Sequence, residues 1–380
     1  MRSRTLSYIG QHSRSHIVID DDPCSLFADI IVEGTSDHSQ SLRPRRQDGT
    51  SAFAATTMCS PPISSKERKH WLTDLYLTVG CLVCVPMYSM LLWLGVMALV
   101  LFYCPGLPRY AVLAYFGYLA IDRTPQKGGL NLSGRERLRR FVGFRLVARY
   151  FPVHLHKTTE LRGDNQAYLF LYHPHGVIAM GSNTALATNG CDFDSVFPTI
   201  RRRWAVTLNA SFLAPIFRDW MLALGFLSAN KETLKSKLQQ GDSVVLVPGG
   251  AAEALHAHPG VMKLQLKGRY GFVKLALETG AQLIPVLGLG ENDIFETLYD
   301  SDSIVAKMQR KLGKIMTFTL PILTWPIPRR RPIHVIVGKP LVFLSKDVEE
   351  CHAQYLQHLQ ALYDQHKGKY GFQDVPLEFV

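Results

Sequence analysis

Two widespread catalytic signatures are missing from this sequence. It has no G-x-S-x-G turn, which would present a serine nucleophile, and no G-x-x-x-x-G-K-[ST] loop, which would hold nucleotide phosphates. There is no internal repeat, and no secretory signal opens the chain, because the first long apolar run follows Lys69 and His70. The seven cysteines are scattered and odd in number, which favours a reducing compartment. Cys81 and Cys84 have no second ligand pair, and we expect them to face lipid or the core.

The charge of the chain points to an anionic partner. Its 42 Lys and Arg residues outnumber 31 Asp and Glu residues and give a net charge of +11. A membrane surface or a nucleotide-bearing substrate would suit this balance. Nucleic acid is not expected, because the aromatic residues lie mostly in apolar runs and not between basic residues.

The pattern along the chain divides it into three parts. Residues 1–70 are polar, lack sustained periodicity and are expected to be a disordered extension. The run 75–104 has no charged residue, and a second apolar stretch, 111–121, follows a Pro-Gly turn. We expect 71–125 to form a membrane-embedded helical hairpin, or one span with an interfacial helix. Residues 126–380 have the composition of a catalytic domain.

The last part alternates apolar strands with helical patterns. Such alternation predicts an α/β fold, with a mostly parallel sheet covered by helices. A basic amphipathic helix over 133–149, with a Ser133–Glu136 capping box, is expected before the first strand. The predicted strands are 153–156, 167–172, 204–208, 243–247, 282–287 and 333–337. The predicted helices, which alternate with these strands, are 211–224, 231–240, 270–279 and 347–366.

The motif His173-Pro174-His175-Gly176 ends the buried strand 167–172. Pro174 forbids a normal ladder bond, and Gly176 lets the chain turn sharply into the following helix. Two imidazoles are therefore presented at a strand end, the place where α/β sheets bind ligands.

A second turn, Pro248-Gly249-Gly250, follows the strand 243–247 and precedes Glu253. Paired glycines allow backbone N–H groups to approach an oxyanion or phosphate closely. An imidazole and a carboxylate at two strand ends could form a base and its orienting partner. A plain tight turn with a solvated Glu253 is the equal alternative. Four cations farther on could line a rim for an anionic substrate or lie on a solvated helix face; they are Lys263, Lys267, Arg269 and Lys274.

A metal site has limited support in the sequence. Three His-x-His pairs, at 154/156, 173/175 and 256/258, would each place two imidazoles on one strand face. The pairs lie far apart, Pro174 distorts one of them, and no carboxylate-rich set completes them. We therefore predict no metal.

Several motifs together resemble a known family. His173-Pro174-His175-Gly176 is similar to the HPHG signature of the diacylglycerol acyltransferase type 2 family, which includes monoacylglycerol and wax-alcohol acyltransferases. The chain also has counterparts of the family's YFP, FRD, PGGA-x-E and R-x-GF-x-KLAL…GEN patterns, in the same order. They are 150–152, 217–219, 248–253 and 269–295.

This resemblance implies an acyl-CoA-dependent O-acyltransferase with a glycerolipid-acyltransferase-like fold. It implies diacylglycerol, monoacylglycerol or a long-chain alcohol as acceptor, and acyl-CoA as co-substrate without a further cofactor. It further implies the endoplasmic reticulum membrane and lipid droplets, with the catalytic domain in the cytosol, and leaves a homo-oligomer open.

In the expected mechanism, His175 is the general base and Glu253 orients its imidazole, as the carboxylate of a triad does. His173 is either structural or part of the substrate site, and Arg218 is expected to pair with a carboxylate such as Glu253. The remaining residues expected to contact substrate are Pro174, Gly176, Gly249, Gly250, Lys263, Arg269 and Lys274. A non-catalytic lipid-binding protein and a metal-dependent hydrolase are the alternatives from other classes.

Overall fold

A computed structural model describes residues 90–163, 166–200, 202–297, 322–325 and 327–380, together with Leu75 and Thr78. These residues belong to the compact unit Ile63–Val380. The predicted extension 1–70 and the pair Cys81 and Cys84 lie outside the described residues. The boundaries at 71 and 126 therefore stay predictions.

The first described elements are two apolar helices, α1 (Met90–Tyr103) and α2 (Leu107–Ile121), which pack against each other. Pro105 and Gly106 separate them, and Gly106 has a φ of +78° that favours glycine. Large apolar side chains on both helices are exposed, among them Phe102, Leu107 and Ile121. Within the described ranges, no helix is long and apolar enough to cross a membrane.

The predicted basic helix over 133–149 is two helices. After the short α3 (Thr124–Lys127), α4 covers Leu132–Arg139 and α5 covers Val142–Tyr150. The N-cap of α4 is Asn131, whose side chain accepts a hydrogen bond from Gly134 N, and not the predicted Ser133. The helix is interrupted at Phe141, whose φ of −58° and ψ of 132° belong to an extended conformation. Arg139 is thereby buried, and it donates to the carbonyl oxygens of Arg203 and Leu224.

The predicted α/β class is confirmed, and the main sheet is mixed. In the described part of the chain it has seven strands in the order β1-β8-β7-β2-β5-β3-β4. All neighbours pair in parallel except β7 and β8, so β1 and β8 run opposite to the others. The strands are β1 (Val153–Lys157), β2 (Tyr168–His173), β3 (Arg203–Thr207), β4 (Phe226–Ser228), β5 (Ser243–Leu246), β7 (Gln282–Leu289) and β8 (Ile333–Val337). A separate parallel pair joins β6 (Met262–Leu264) to β9 (Leu377–Phe379).

Both faces of the sheet are covered. Successive β2 side chains point to opposite faces: Phe170 and Tyr172 enter one core cluster, and Leu169 and Leu171 enter another. The first cluster packs against α5, the π-helix Ser182–Ala187 and α6 (Phe193–Val196). The second packs against α8 (Lys231–Gln239), α10 (Gly271–Thr279) and α11 (Val348–Lys367).

The predicted helix over 211–224 is interrupted. A 3-10 turn, Asn209–Leu213, precedes α7 (Phe217–Ala223). Pro215 cannot donate a helical hydrogen bond, and Ile216 takes a φ of +66° between the two pieces. The described connections also contain α9 (Gly250–Glu253) and the 3-10 turns Ala254–His256, Glu291–Asp293 and Gly368–Tyr370.

Candidate active site

The candidate active site lies where β2 ends. His173 is the last residue of β2, whose neighbours β5 and β7 are both parallel to it. The peptide bond between His173 and Pro174 is cis. Because parallel strands end at one edge, His175 and Gly249 meet at the carboxyl edge of the sheet, as the sequence predicted.

His175 presents an unprotonated ring nitrogen. Its Nδ1 lies 3.0 Å from the carbonyl oxygen of Gly176, which can only accept, so Nδ1 carries the proton. Nε2 then has the free lone pair, and it makes no hydrogen bond to any residue in the described ranges. Burial lowers the pKa of this imidazole, so it is neutral at pH 7. His175 therefore has the form that a general base needs.

His173 has a different environment. It is fully buried, and its Nε2 lies 2.9 Å from the hydroxyl oxygen of Tyr355 on α11. Its Nδ1 has no partner among the described residues. Burial lowers the pKa of His173 to about 3. The side chain is thus a neutral core group held by the C-terminal helix.

Glu253 holds the backbone at His175 and not its imidazole. Its Oε1 accepts from the backbone N–H of His175 at 2.5 Å, and its Oε2 accepts from that of Gln265 at 2.9 Å. The expected contact between this carboxylate and the ring is replaced by the Gly176 carbonyl. Burial raises the pKa of Glu253 to about 7, although both N–H groups oppose this shift.

The site glycines leave room for buried carboxylates. A Cβ on Gly249 would fall onto the Glu253 carboxylate, and a Cβ on Gly176 would lie 2.7 Å from Glu291 Cγ. Gly176 and Gly250 have φ values of +57° and +58°. The N–H of Gly250 closes a turn to Val247, so it is already used within the protein.

Sequence reasoning missed Glu291, a second buried carboxylate behind the histidines. Its Oε1 accepts from Met180 N at 2.7 Å, and its Oε2 accepts from Gly181 N at 2.8 Å and from the Tyr172 hydroxyl at 2.6 Å. Burial raises its pKa to about 7. The only sequence signal was its place in the Gly-Glu-Asn pattern. Glu253 and Glu291 together fix the backbone on both sides of Gly176.

The chain after Gly176 differs slightly from the prediction. A helix was expected to begin there, whereas a turn covers 176–178 and helical structure begins at Met180. The N–H of Ala179 bonds to the carbonyl of His175 and closes this turn.

Arg218 contacts other carboxylates than the expected one. It is fully buried, and it forms ion pairs with Asp122 and, at 3.1 Å, with Asp219. Asp219 also accepts a hydrogen bond from the hydroxyl of Tyr115 on α2. Arg218 therefore ties the end of α2 to the domain and does not touch Glu253.

The four cations predicted to form a rim have different surroundings, and Lys267 is exposed in the turn after β6. Lys263 forms an ion pair with Glu378 of β9 at 3.2 Å, and Lys274 is exposed on α10. Arg269 is exposed, but its charge acts on Glu253 and helps to lower that pKa. Only Arg269 is thus linked electrostatically to the site.

The His-x-His pairs do not come together. His154 and His156 lie beside His334 on the neighbouring strand, with 3.2 Å between His156 Nε2 and His334 Nδ1. In the ranges that the structure describes, no three His, Cys, Asp or Glu side chains are arranged to hold a metal ion.

Comparison with known proteins gives the family. A sequence model described as "Diacylglycerol acyltransferase" matches residues 100–380. The crystal structure of the 1-acyl-sn-glycerophosphate acyltransferase PlsC from Thermotoga maritima aligns at a TM-score of 0.38 with 12% identity. The alignment covers 76% of this chain and 98% of PlsC, and the structural similarity is too weak to support a conclusion.

Two relatives illustrate the stronger sequence similarity. Diacylglycerol O-acyltransferase 2A of Umbelopsis ramanniana is 36% identical over 321 residues, which are 77% of this chain and 89% of the relative. The 2-acylglycerol O-acyltransferase 1 of Bos taurus is 37% identical over 282 residues, 69% of this chain and 83% of the relative. The chain therefore belongs to the diacylglycerol acyltransferase family.

Proposed function

We propose that this protein transfers a fatty acyl group from acyl-CoA to the free hydroxyl of diacylglycerol, giving triacylglycerol and coenzyme A. The observation that carries this proposal is the state of His175, a neutral imidazole whose Nε2 lone pair is free among the described residues. A hydroxyl acceptor needs such a base. Family membership supplies the reaction class.

The proposed mechanism has two steps. Nε2 of His175 takes the acceptor's hydroxyl proton while the oxygen attacks the thioester carbonyl. The C–S bond of the tetrahedral intermediate then breaks, and the imidazolium gives its proton to the departing thiolate. We propose that backbone N–H groups in the turn after Gly176 hold the oxyanion. Acyl-CoA is the co-substrate, and no step calls for a metal or a further cofactor.

Glu253 has a positioning role in this mechanism. Its carboxyl fixes the backbone N–H of His175, while the Gly176 carbonyl fixes the tautomer of the ring. Loss of Glu253 would move the imidazole and leave its chemistry unchanged.

The helices α1 and α2 suit a membrane role. The helix α2 is bounded by Gly106 and Asp122, and its 15 residues make it about 22 Å long, which is shorter than the hydrocarbon core of about 30 Å. We propose that α1 and α2 are embedded in the membrane as a hairpin, with the active site on the cytosolic side. That arrangement would suit the endoplasmic reticulum and the monolayer of a lipid droplet, and it fits a glycerolipid-acyltransferase-like enzyme whose acceptor is dissolved in lipid.

Monoacylglycerol is the second candidate acceptor. The bovine relative, at 37% identity, is named as a 2-acylglycerol O-acyltransferase. A long-chain alcohol remains a third candidate from the family resemblance.

The test uses membranes that contain the protein, labelled acyl-CoA and a panel of diacylglycerol, monoacylglycerol and fatty alcohol. Label should enter triacylglycerol, and His175→Ala should lower the rate by about 10²–10⁴-fold. His154→Ala, at an exposed histidine on β1, is the matched control and should keep the rate. Label in another ester would change the acceptor, and no label in any ester would refute the proposal.

A further inference from the structure

We infer that a cavity beside α2 binds the uncharged glycerol ester portion of the acylglycerol acceptor. The cavity has a volume of about 590 Å³ and lies between the C-terminal end of α2 and the segment after β3. This volume is within the range of small-molecule sites. The inference rests on the proposed function, because it names the substrate that this space would hold.

The sheet places the cavity on the same edge as the histidines. Phe170, Val245 and Ala205 are level across the parallel neighbours β2, β5 and β3. Just past the carboxyl end of β3, the 3-10 turn Asn209–Leu213 forms part of the cavity wall, and just past the carboxyl end of β2 lie Pro174 and His175. Two strand spacings separate the carboxyl ends of β2 and β3 by about 10 Å. An acceptor with its hydroxyl at His175 can therefore extend its ester groups and chains into the cavity.

The charges in the cavity wall favour a ligand without charge. The guanidinium of Arg218 is compensated by Asp122 and Asp219, so it offers no free positive charge to a phosphate. The exposed Arg123 stands at the edge of the cavity, next to Asp122. A coenzyme A phosphate would call for uncompensated, convergent cations, and these side chains do not supply them.

The uncharged lining is both polar and apolar. Gln126 supplies an amide group, Asn209 supplies its side-chain NH₂ because its Oδ1 already accepts from the Ser228 hydroxyl, and Leu119, Phe212 and Leu213 supply apolar surface. An acyl chain alone would leave the amides facing hydrocarbon, at a cost in free energy. The ester carbonyls of an acylglycerol can accept hydrogen bonds from the amides, and the first part of its acyl chain can contact the apolar side chains. Among the substrates of the proposed reaction, the acylglycerol has that composition.

The mouth of the cavity continues the apolar surface of α2. Ile121 and Leu213 both line the cavity and are 79% and 61% exposed. A lipid-dissolved acceptor can therefore pass from the exposed apolar face of α2 into the cavity without crossing water.

Leu213→Trp tests the inference, since the larger side chain would occupy the mouth of the cavity. We expect the KM for dioleoylglycerol in mixed micelles to rise about tenfold, with kcat and the KM for oleoyl-CoA unchanged. Leu344→Trp is the matched control, because Leu344 is 98% exposed after β8 and does not line the cavity. It should leave all three constants unchanged.

Other outcomes have definite meanings. A raised KM for oleoyl-CoA alone would assign the cavity to the donor, and unchanged constants would refute acceptor binding there. Wild-type protein that forms no ester would instead overturn the proposed function. Should Leu213→Trp not fold, a photoreactive diacylglycerol provides the second measurement on wild-type protein. Its label should fall on peptides 119–126 or 209–218 and be displaced by dioleoylglycerol, and label confined to other peptides would refute the inference.

Discussion

Gly181 shows how closely the site is packed behind His175. The glycine is buried, its N–H donates to Glu291, and it has ordinary helical geometry with a φ of −62°. A Cβ placed on it would fall on the hydroxyl oxygen of Tyr172 and lie 3.0 Å from both Glu291 Oε2 and Ile333 Cγ2. The Tyr172 hydroxyl is thus the main obstacle to a larger residue.

A double-mutant cycle follows from this geometry. Gly181→Ala alone should destabilise the fold by about 1–3 kcal/mol through overpacking, despite a helix propensity gain of up to about 1 kcal/mol. Tyr172→Phe alone loses a hydrogen bond to a carboxylate, about 1.5–3 kcal/mol. In the Tyr172→Phe protein the hydroxyl is gone, so Gly181→Ala should cost little. We expect the double mutant to lose less free energy of unfolding than the two single mutants together, by about 0.5–3 kcal/mol.

Urea-induced unfolding of the purified proteins, followed by tryptophan fluorescence, measures the cycle. Gly271→Ala is the matched control, because no atom lies within 4 Å of the position of its Cβ. It should be neutral or slightly stabilising in both backgrounds. Strictly additive free energies for Gly181→Ala and Tyr172→Phe would refute the packing argument.

Three further perturbations test the buried polar groups. Tyr355→Phe removes the hydrogen bond to Nε2 of His173 and leaves a buried imidazole with no hydrogen-bond partner among the described residues. Unfolding by urea should therefore become easier by about 1–3 kcal/mol, and an unchanged midpoint would contradict this. Arg218→Met leaves Asp122 uncompensated and should cost about 3–5 kcal/mol, and adding Asp122→Asn should recover part of the loss. Burial raises the pKa of Glu253 from 4.5 to about 7, so its neutral form stabilises the fold below pH 4.5, and this stability is lost as the pH rises through 7. Glu253→Gln should therefore flatten the pH dependence of unfolding by about 3 kcal/mol over that interval, and parallel curves would rule out a raised pKa.

Two buried carboxyls flank the turn that carries His175, and neither makes a hydrogen bond to its imidazole. Glu253 holds the chain entering His175, and Glu291 holds the chain at 180–181. The backbone is thus fixed on both sides, while the ring is fixed by the carbonyl of Gly176. In the proposed mechanism His175 is the reacting group, and the two carboxyls hold the backbone that positions it.

Local pattern predicted six of the seven strands of the main sheet, but neither the three-residue β4 nor the antiparallel pairing of β7 with β8. Each predicted strand of the main sheet was found within two residues of its expected bounds, because apolar runs that end in turn residues depend on neighbours in sequence. The two motifs at strand ends follow from the same information, since parallel strands finish at one edge. The predictions of one continuous helix over 133–149 and another over 211–224 were wrong, because each segment is interrupted. Asn131, the extended Phe141 and Pro215 decide where those helices begin or break.

The contacts that define the site came only from the tertiary structure. Tyr355 reaches His173 across 182 residues, and Glu291 reaches Tyr172 across 119. Glu253 lies near His175, as its strand-end position implied, yet it bonds to the backbone. The sequence alone determined which groups arrive at the carboxyl edge of the sheet. Which atoms meet there depends on packing between distant segments, and neither periodicity nor spacing encodes it.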